Sequence, residues 1–339
     1  MKLFIFGSTG DLVKRKVLPA LQELESGELE VWALGRKDFT EEIYRDFVCR
    51  GKCSPEFRKR IFYRKIDLES KNLCEDCMGV FETEEINYFY ISFPPELIRK
   101  TLESLAYLKS RGIRVRILIE KPFGRNLEEA ESLERFINDN FSGGEVWLSD
   151  HYLFKENILR LKRTDFRKLK IVSLESIGLE GRSYYDSVGA LRDMVQSHFL
   201  NIAFKLAGKI RPDKIKVLKF ERMQYLDYAQ ELGKSSGTET LVKLKIKAGG
   251  KEFEFITGKA FDKKVSFMEI DKKRIDLEDK NNPYKTLFSD FLDGRMENFP
   301  EISNALLAWR IIERVESSKP KPKLELYRKG ISGDELISS

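Results

Sequence analysis

The sequence predicts an α/β domain with a doubly wound parallel sheet, followed by an α+β domain with helices and a largely antiparallel or mixed sheet. We place the first domain at 1–149 and the second at 150–339. Three observations predict this fold class. Strand-like runs alternate with helical patterns in the first half, and parallel neighbours need such long, right-handed return connections. The second half carries strand pairs joined by short turns. The 339 residues are also too many for one compact core.

The first element is a short apolar strand that meets a glycine turn. Residues 3–6 (LFIF) precede Gly7-Ser8-Thr9-Gly10, and apolar residues then recur at helical spacing from Leu12 to Leu24. This order lets the backbone approach a pyrophosphate at the helix N-terminus. The spacing Gly7-x-x-Gly10 differs from G-x-G-x-x-G, so a plain tight turn is the alternative. Pro19 is expected to weaken or kink the helix.

Further strands are predicted in the first half at 30–34, 61–66, 87–92, 113–119 and 145–149. In a doubly wound sheet, ligands bind outside the carboxyl ends of the strands, where neighbouring loops converge. We therefore expect one crevice in this Rossmann-type domain, lined by the residues that follow these ends: Gly7, Arg36, Pro94, Glu120-Lys121-Pro122 and Asp150-His151.

The residues after the second strand bear on the choice of dinucleotide. NAD-specific folds typically place an acidic residue there for the ribose 2′-hydroxyl, whereas this chain has Gly35-Arg36-Lys37. Two cations suit a 2′-phosphate, and Lys16 in the first helix would add a third. The sequence therefore favours NADP as the cofactor, with NAD as the alternative.

The pattern changes from about residue 170. A strand (KIVSLESIG) is followed by a helix from about Val188 to Leu206, and LVKLKIKAGGKEFEFI then alternates around Gly249-Gly250 as a hairpin does. SFMEIDKKRIDLE predicts a second hairpin. Helical runs at 284–293 and 303–316 precede the tail KPKPKLELYRKG, whose prolines predict an extended chain.

Composition narrows the class of partner. Hydrophobic residues make up 41% and charged residues 34%, which is enough for packed cores beneath a solvated surface. The net charge of +6 is spread along the chain, so a small anionic ligand is favoured over nucleic acid. No run approaches the roughly 20 apolar residues of a membrane span. Gly7 and Asp11 interrupt the N-terminal apolar run too early for a signal peptide, and we expect a cytoplasmic protein.

The cysteines are clustered at positions 49, 53, 74 and 77. Two closely spaced pairs resemble a four-thiolate zinc site, because thiolates on short loops can surround one ion. The spacing between the pairs is irregular, so a redox pair and incidental buried thiols are the alternatives. A zinc ion here would be structural, and no catalytic metal is expected.

Several longer motifs resemble those of the glucose-6-phosphate dehydrogenase family, in order and placement, over nearly the whole chain. They are Gly7-Ser8-Thr9-Gly10-Asp11-Leu12, Glu120-Lys121-Pro122-Phe123-Gly124, Asp150-His151-Tyr152-Leu153-Phe154-Lys155-Glu156, Glu180-Gly181-Arg182, Arg192-Asp193-Met194-Val195-Gln196-Ser197-His198 and Gly258-Lys259-Ala260. The resemblance implies oxidation of glucose 6-phosphate at C1 to 6-phosphoglucono-1,5-lactone, with hydride transfer to NADP, in the oxidative pentose phosphate pathway.

The resemblance implies that His198 is the general base. Only two histidines occur, and an imidazole titrates near the working pH of an enzyme that removes a hydroxyl proton. A carboxylate would hold the tautomer of this base. Asp193 lies five residues earlier, and on an α-helix the two side chains would diverge by roughly 140°. The family gives the orienting role to Asp150, for which helix N-capping is the structural alternative.

The resemblance also implies the binding residues. The substrate phosphate is assigned to His151, Tyr152 and Lys155, with Lys259 as a second cation and Lys264 as a further candidate. The pyranose is assigned to Lys121, Glu175 and Asp193, and the Lys121–Pro122 peptide is expected to be cis. The cofactor residues are Gly7, Ser8, Thr9, Gly10, Asp11, Leu12, Lys16, Arg36, Pro94, Glu120 and Lys121.

The chain also departs from the family pattern. It is shorter than most members, and Phe154 and Ser197 stand where the family usually has glycine and asparagine. These changes leave open another NAD(P)-dependent two-domain sugar oxidoreductase, or an NADP-binding sensor without activity. The family's second domains pair across a sheet face, so we expect a homodimer or homotetramer.

Overall fold

The computed structural model describes residues 1–24, 28–66, 79–181, 184–278, 281–320 and 322–338. The chain divides into two compact units. The first unit comprises residues 1–154 and 281–302, and the second comprises 155–280 and 303–339. The predicted single boundary after residue 149 stays a prediction, and residues 281–302 belong to the first unit.

The strands, in chain order, are β1 (Lys2–Phe6), β2 (Glu30–Gly35), β3 (Ile61–Lys65), β4 (Asn87–Ile91), β5 (Val115–Ile119), β6 (Val146–Leu148), β7 (Lys168–Leu174), β8 (Lys216–Tyr225), β9 (Leu241–Ala248), β10 (Lys251–Gly258), β11 (Val265–Ile270), β12 (Lys273–Asp276) and β13 (Leu324–Tyr327).

The α-helices are α1 (Leu18–Gln22), α2 (Glu41–Cys49), α3 (Pro55–Lys59), α4 (Pro95–Ser110), α5 (Leu127–Asn140), α6 (Glu156–Leu159), α7 (Tyr185–Ala190), α8 (Leu200–Ala207), α9 (Tyr228–Leu232), α10 (Pro283–Asp293), α11 (Ile302–Glu316) and α12 (Asp334–Ser338). Two π-helical segments, Val13–Val17 and Leu191–Phe199, directly precede α1 and α8. No helix within the described ranges is both long and apolar enough to span a bilayer.

The sheet of the first unit confirms the predicted doubly wound fold. Its strand order is β3-β2-β1-β4-β5-β6, and every neighbouring pair is parallel. The strands are buried almost throughout, as expected for a parallel sheet covered on both faces. The order reverses between β1 and β4, and ligands of such folds bind at this switch point.

The helix after the glycine turn differs from a regular α-helix in the way that Pro19 requires. Proline lacks an N–H and clashes with the carbonyl four residues earlier. The π-helical segment Val13–Val17 widens the preceding turn, and α1 restarts with Pro19 in its first turn, where proline is tolerated. The predicted disturbance is therefore confirmed.

The sheet of the second unit confirms the predicted mixed character. Its order is β12-β11-β7-β10-β9-β8-β13, with parallel pairing at β7–β10 and β8–β13 and antiparallel pairing elsewhere. Gly249 and Gly250, with φ of 56° and 80°, join β9 to β10. A two-residue hairpin turn favours this positive φ at both positions. β8 was not predicted from the sequence, because only its last two residues are buried and its alternation is weak.

The helix predicted from Val188 to Leu206 is not continuous α-helix. Gly189 adopts φ 70°, and Leu191–Phe199 is π-helical before α8 begins. Hydrogen bonds from i to i+5 close a wider turn, so residues five apart lie closer to one face than they do on an α-helix. The predicted 140° divergence between Asp193 and His198 assumed α-helical geometry and is therefore wrong.

Candidate functional site

The glycine turn of the first unit leaves no room for a side chain at its first position. Gly7 has φ +79°, and a Cβ built on it would lie 2.3 Å from the carbonyl oxygen of Ser92, which follows β4. The Gly10 N–H donates to the Gly7 carbonyl at 3.0 Å. The turn therefore packs directly against the neighbouring loop at the switch point of the sheet. Such a bare backbone can cradle a pyrophosphate.

Ser8 fastens this turn to the second strand. Its buried hydroxyl donates to the Leu34 carbonyl at 3.0 Å, and the Tyr44 hydroxyl donates to the Ser8 carbonyl at 3.0 Å. Thr9 is half-buried and Gly10 is exposed. The described contacts of the Ser8 side chain are thus internal, and they hold the glycine turn in place.

Among the charged residues after the turn, Lys14 and Asp11 form a pair, whereas Lys16 is exposed. The Lys14 ammonium lies 3.0 Å from the Asp11 carboxylate, and this hydrogen bond holds the pKa of Asp11 below its ordinary value. Leu12 is half-buried at the start of the π-helical segment, and Lys16 is exposed. The Lys16 carbonyl accepts a hydrogen bond of 2.7 Å from the Asn282 side chain. Residues 281–302 are therefore attached to this segment.

Two cations follow β2 as the sequence predicted. Arg36 and Lys37 are both exposed, and the Lys37 ammonium lies 4.9 Å from the centre of the Phe47 ring. The Lys37 carbonyl accepts a hydrogen bond of 2.6 Å from Tyr63. Lys37 is thereby fixed at both its backbone and its side chain. An exposed guanidinium, such as that of Arg36, can bind a phosphate with two parallel hydrogen bonds, whereas an ammonium acts as a point charge.

Glu120, at the end of β5, is buried and its carboxylate faces other residues of the first unit. Its Oε2 atom accepts hydrogen bonds of 2.8 Å from the Tyr90 hydroxyl and 2.8 Å from the Ser149 hydroxyl. After burial, the charge of this carboxylate is the next cause that raises the pKa of Tyr284. Burial raises the pKa of Glu120 above its ordinary value. The predicted cofactor residue is therefore part of a buried hydroxyl–carboxylate cluster.

The loops that follow β4 and β5 carry the other predicted cofactor residues. Pro94 is the N-cap residue of α4. The Lys121–Pro122 peptide is cis, which confirms the expectation, and Lys121 is half-buried. Gly124 has φ +77°, and a Cβ there would lie 2.8 Å from the Ala130 amide nitrogen. This loop therefore depends on glycine in order to pack on α5.

Asp150 follows β6 and is almost fully buried. Its Oδ1 atom accepts the Tyr152 N–H at 3.0 Å, a local turn of the kind that aspartate often forms. The N-cap residue of the next helix, α6, is Lys155, so Asp150 does not cap that helix. Phe154 is buried and packs edge-on against Phe299 at 4.7 Å. The ring therefore fills the core of the first unit at the position where the family usually has glycine.

The second unit brings together Glu175, Lys259 and Tyr185. Leu174 and Gly258 are paired in the parallel ladder of β7 and β10, so the residues after them emerge side by side. The buried Lys259 ammonium donates to the Glu175 carboxylate and lies 4.8 Å from the centre of the Tyr185 ring. The Tyr327 hydroxyl donates to the Lys259 carbonyl at 2.7 Å. This lysine is therefore held at both ends.

Asp193 lies close to the same cluster. Burial raises the pKa of Tyr185 far above its ordinary value, and the neighbouring carboxylate of Asp193 is the next strongest influence. Three predicted substrate residues, Glu175, Asp193 and Lys259, thus lie near Tyr185, which was not predicted as a site residue. Its position shortly after the Glu180-Gly181-Arg182 motif was the available signal.

The remaining predicted residues have varied surroundings. His198 is 1% exposed and belongs to the π-helical segment, where its neighbour Phe199 packs on Phe255 of β10 at 5.9 Å. The Lys155 ammonium donates to the Leu277 carbonyl at 2.6 Å. Lys264 is exposed and pairs with Glu278 at 3.0 Å. Arg182, which completes a family motif, lies outside the described residues.

The cysteine cluster is only partly described. Cys49 and Cys53 form a disulfide at the end of α2, so these two sulfurs are not free thiolate ligands in this structure. Cys74 and Cys77 lie outside the described residues. The redox-pair alternative therefore fits the described pair better than the zinc site does.

The fold and the glycine turn define the first unit as a dinucleotide-binding domain. A family model described as glucose-6-phosphate dehydrogenase, NAD binding domain, matches residues 4–159, and one for the C-terminal domain matches residues 156–231. A glucose-6-phosphate 1-dehydrogenase of Helicobacter pylori is 30% identical over 287 residues, which are 72% of this chain and 68% of that protein. The chain belongs to the glucose-6-phosphate dehydrogenase family.

Two further similarities concern length and fold. The Chlamydia pneumoniae glucose-6-phosphate 1-dehydrogenase is 30% identical over 271 residues, which are 64% of this chain, and the match spans about half (53%) of that relative. A solved glucose-6-phosphate dehydrogenase in complex with glucose 6-phosphate has a TM-score of 0.76 at 20% identity. The alignment covers 99% of this chain and 96% of that chain, which supports the fold of both units.

Proposed function

We propose that this protein oxidises D-glucose 6-phosphate at C1 to 6-phosphoglucono-1,5-lactone. The observation that carries the proposal is the pairing of buried Lys259 with Glu175 beside Tyr185, near Asp193, in the second unit of a chain that belongs to this family. Two carboxylates and a buried ammonium can bind several sugar hydroxyls at once. This arrangement suits a reaction in which a small displacement of C1 costs much rate.

Proton removal is assigned to His198. In the reaction the C1–H bond breaks as a hydride leaves, and the proton of the C1 hydroxyl passes to the imidazole while the C1–O double bond forms. Asp150 is the carboxylate proposed to support the imidazolium. Both assignments follow the family resemblance.

The substrate phosphate is assigned to His151, Tyr152 and Lys155, and Lys121 joins the residues that bind the pyranose. Lys259 supplies fixed positive charge from the second unit, and Lys264 is a peripheral candidate because its side chain is exposed and already paired. Cation and hydroxyl donors are the groups that bind a phosphate dianion most strongly.

The cofactor is proposed to be NADP, which accepts the hydride at its nicotinamide ring. The Gly7–Gly10 turn after β1 presents backbone without side chains at the switch point of the sheet, which is the place and kind of turn that binds a pyrophosphate. Arg36, with Lys37 and Lys16 as further cations, is proposed to bind the 2′-phosphate. The backbone of residues 8–12 and the loops at Pro94, Glu120 and Lys121 complete the proposed cofactor site.

The test is the appearance of reduced cofactor when the purified protein receives glucose 6-phosphate or glucose, with NADP or NAD. Reduction that depends on the 6-phosphate and is faster with NADP supports the proposal. Equal rates with and without the phosphate would instead indicate a different sugar oxidoreductase, and no reduction in any arm would indicate a sensor.

Substitution of His198 tests its role as the general base. His198→Asn should lose at least about a thousandfold in kcat while binding glucose 6-phosphate with a similar dissociation constant, because only proton removal is lost.

A cytoplasmic location and a homodimeric or homotetrameric state are also proposed. Light scattering after size-exclusion chromatography measures the second of these.

A further inference from the structure

We propose that Tyr284 is a positioning residue for His151, the histidine assigned to the substrate phosphate; this inference rests on the proposed function. The two rings are stacked, with 5.4 Å between their centres and 17° between their planes. Both residues belong to the first unit, although they are distant in sequence. Residues 281–302 thereby supply a contact that no motif predicted.

The backbone of Tyr284 is fixed at the start of α10. Asn282 caps this helix through its side-chain oxygen, which accepts the Tyr284 N–H at 3.2 Å. The nitrogen of the same side chain donates to the Lys16 carbonyl at 2.7 Å. One asparagine therefore anchors both the helix that carries Tyr284 and the segment after the glycine turn.

The side chain of Tyr284 is enclosed by its neighbours. It is 2% exposed, and its ring also packs on Phe288 with 6.3 Å between ring centres. After burial, the charge of the nearby Glu120 carboxylate is the next cause that raises the pKa of Tyr284, and this carboxylate accepts hydrogen bonds from Tyr90 and Ser149. A ring enclosed in this way cannot turn without displacing its neighbours, because protein interiors are close-packed.

A fixed Tyr284 ring determines how the His151 ring is oriented. The imidazole lies flat against Tyr284 and meets Tyr152 edge-on, with 5.0 Å between centres and 63° between planes. These two contacts define the plane of the imidazole and hence the directions of its two nitrogen atoms.

The experiment compares two substitutions of Tyr284 with a matched control. Tyr284→Leu removes ring and hydroxyl, and Tyr284→Phe keeps the ring. Phe288→Leu alters a fully buried residue on the same helix that packs on Tyr90 at 5.2 Å and on Tyr284 at 6.3 Å. The measurements are kcat, KM for each substrate, the calorimetric dissociation constant of glucose 6-phosphate and the melting temperature.

Tyr284→Leu should raise KM and the dissociation constant for glucose 6-phosphate about tenfold, with kcat and the KM for NADP within about twofold of the parent. Tyr284→Phe should restore KM to within about threefold. Phe288→Leu should lower the melting temperature and leave KM near the parent value. An unchanged KM in Tyr284→Leu, or an equal rise in Phe288→Leu, would overturn the role of Tyr284.

The parent protein separates this inference from the proposed function. Turnover of glucose 6-phosphate by the parent supports the proposed function before any variant is compared, so a negative result at Tyr284 then overturns only the positioning role. A parent that neither oxidises nor binds glucose 6-phosphate overturns the proposed function itself, and the inference with it.

Discussion

The Lys259 ammonium forms an ion pair with the Glu175 carboxylate at the ends of two parallel, hydrogen-bonded strands. The lysine is 6% exposed, and the Tyr185 ring lies beneath its charge. A buried ammonium requires such a partner, since removing one member of a buried pair leaves the other charge desolvated. Stability and substrate binding therefore depend on the same two side chains.

Glu175→Gln should lower the free energy of unfolding by about 2 kcal/mol, the scale of a hydrogen bond to a charged group. The matched control is Glu278→Gln, which removes the partner of exposed Lys264 and should cost less than about 0.5 kcal/mol. Urea denaturation measures both values. Equal losses for the two variants would contradict the role of Glu175 as the partner of buried Lys259.

Gly7→Ala should prevent the tight turn from forming. The alanine would have to adopt a positive φ, and its Cβ would lie 2.3 Å from the Ser92 oxygen, so the loop after β4 must move. Gly112→Ala is the matched control, because Gly112 has φ +88° with open space around it and meets only the backbone strain. We expect the free energy of unfolding to fall by about 1 kcal/mol for the control and by at least about 3 kcal/mol for Gly7→Ala.

The same two variants should differ in cofactor binding. Gly7→Ala should raise the dissociation constant for NADP at least tenfold, as measured by calorimetry, and Gly112→Ala should leave it near the parent value. Similar NADP affinities in the two variants would show that the glycine turn does not hold the pyrophosphate.

Arg36→Ala should raise KM for NADP by roughly ten- to a hundredfold, the loss expected for charge-assisted hydrogen bonds to a phosphate, and leave KM for NAD nearly unchanged. Lys65→Ala is the control, because Lys65 is an exposed cation at the end of the adjacent strand β3. Its KM for NADP should stay within about twofold. Parallel changes in both KM values for Arg36→Ala would place the 2′-phosphate elsewhere.

The stability of the protein should depend on pH through Glu120. Burial raises its folded-state pKa above the ordinary value of 4.5, so between 4.5 and the folded pKa the native state binds more protons than the unfolded state. This contribution to stability is complete below pH 4.5 and is lost as pH rises through the folded pKa. Glu120→Gln should remove that loss in melting curves recorded above pH 4.5.

The control is a variant at Glu129, where the pH effect on stability should have the opposite sign. The hydrogen bond from Arg125 lowers the pKa of Glu129 below 4.5, so its stabilisation is present above that pH and is lost as pH falls. Glu129→Gln should therefore flatten the acid side of the curve. A Glu120→Gln curve parallel to that of the parent above pH 4.5 would mean that Glu120 is not buried as a carboxylate.

Local sequence patterns determined much of the fold. Each strand of the first sheet was predicted to within two residues at either end, because a buried parallel strand is a short apolar run bounded by turn residues. Gly249-Gly250 identified the β9–β10 hairpin through its backbone requirement alone. The family resemblance likewise selected Glu175, Asp193 and Lys259, which lie near one another in the second unit.

Tertiary structure decided what local patterns cannot encode. Three features depend on packing between distant segments. They are the π-helical geometry around His198, the partly exposed strand β8 and the assignment of residues 281–302 to the first unit. Periodicity reports whether each residue is buried, whereas the partner of a buried group depends on which segments the folded chain brings together. The sequence by itself determined the strands of the first sheet, the glycine turn and the residues that bear charge. Only the tertiary structure placed Tyr284 against His151 and near Glu120, because this arrangement brings together three distant parts of the chain.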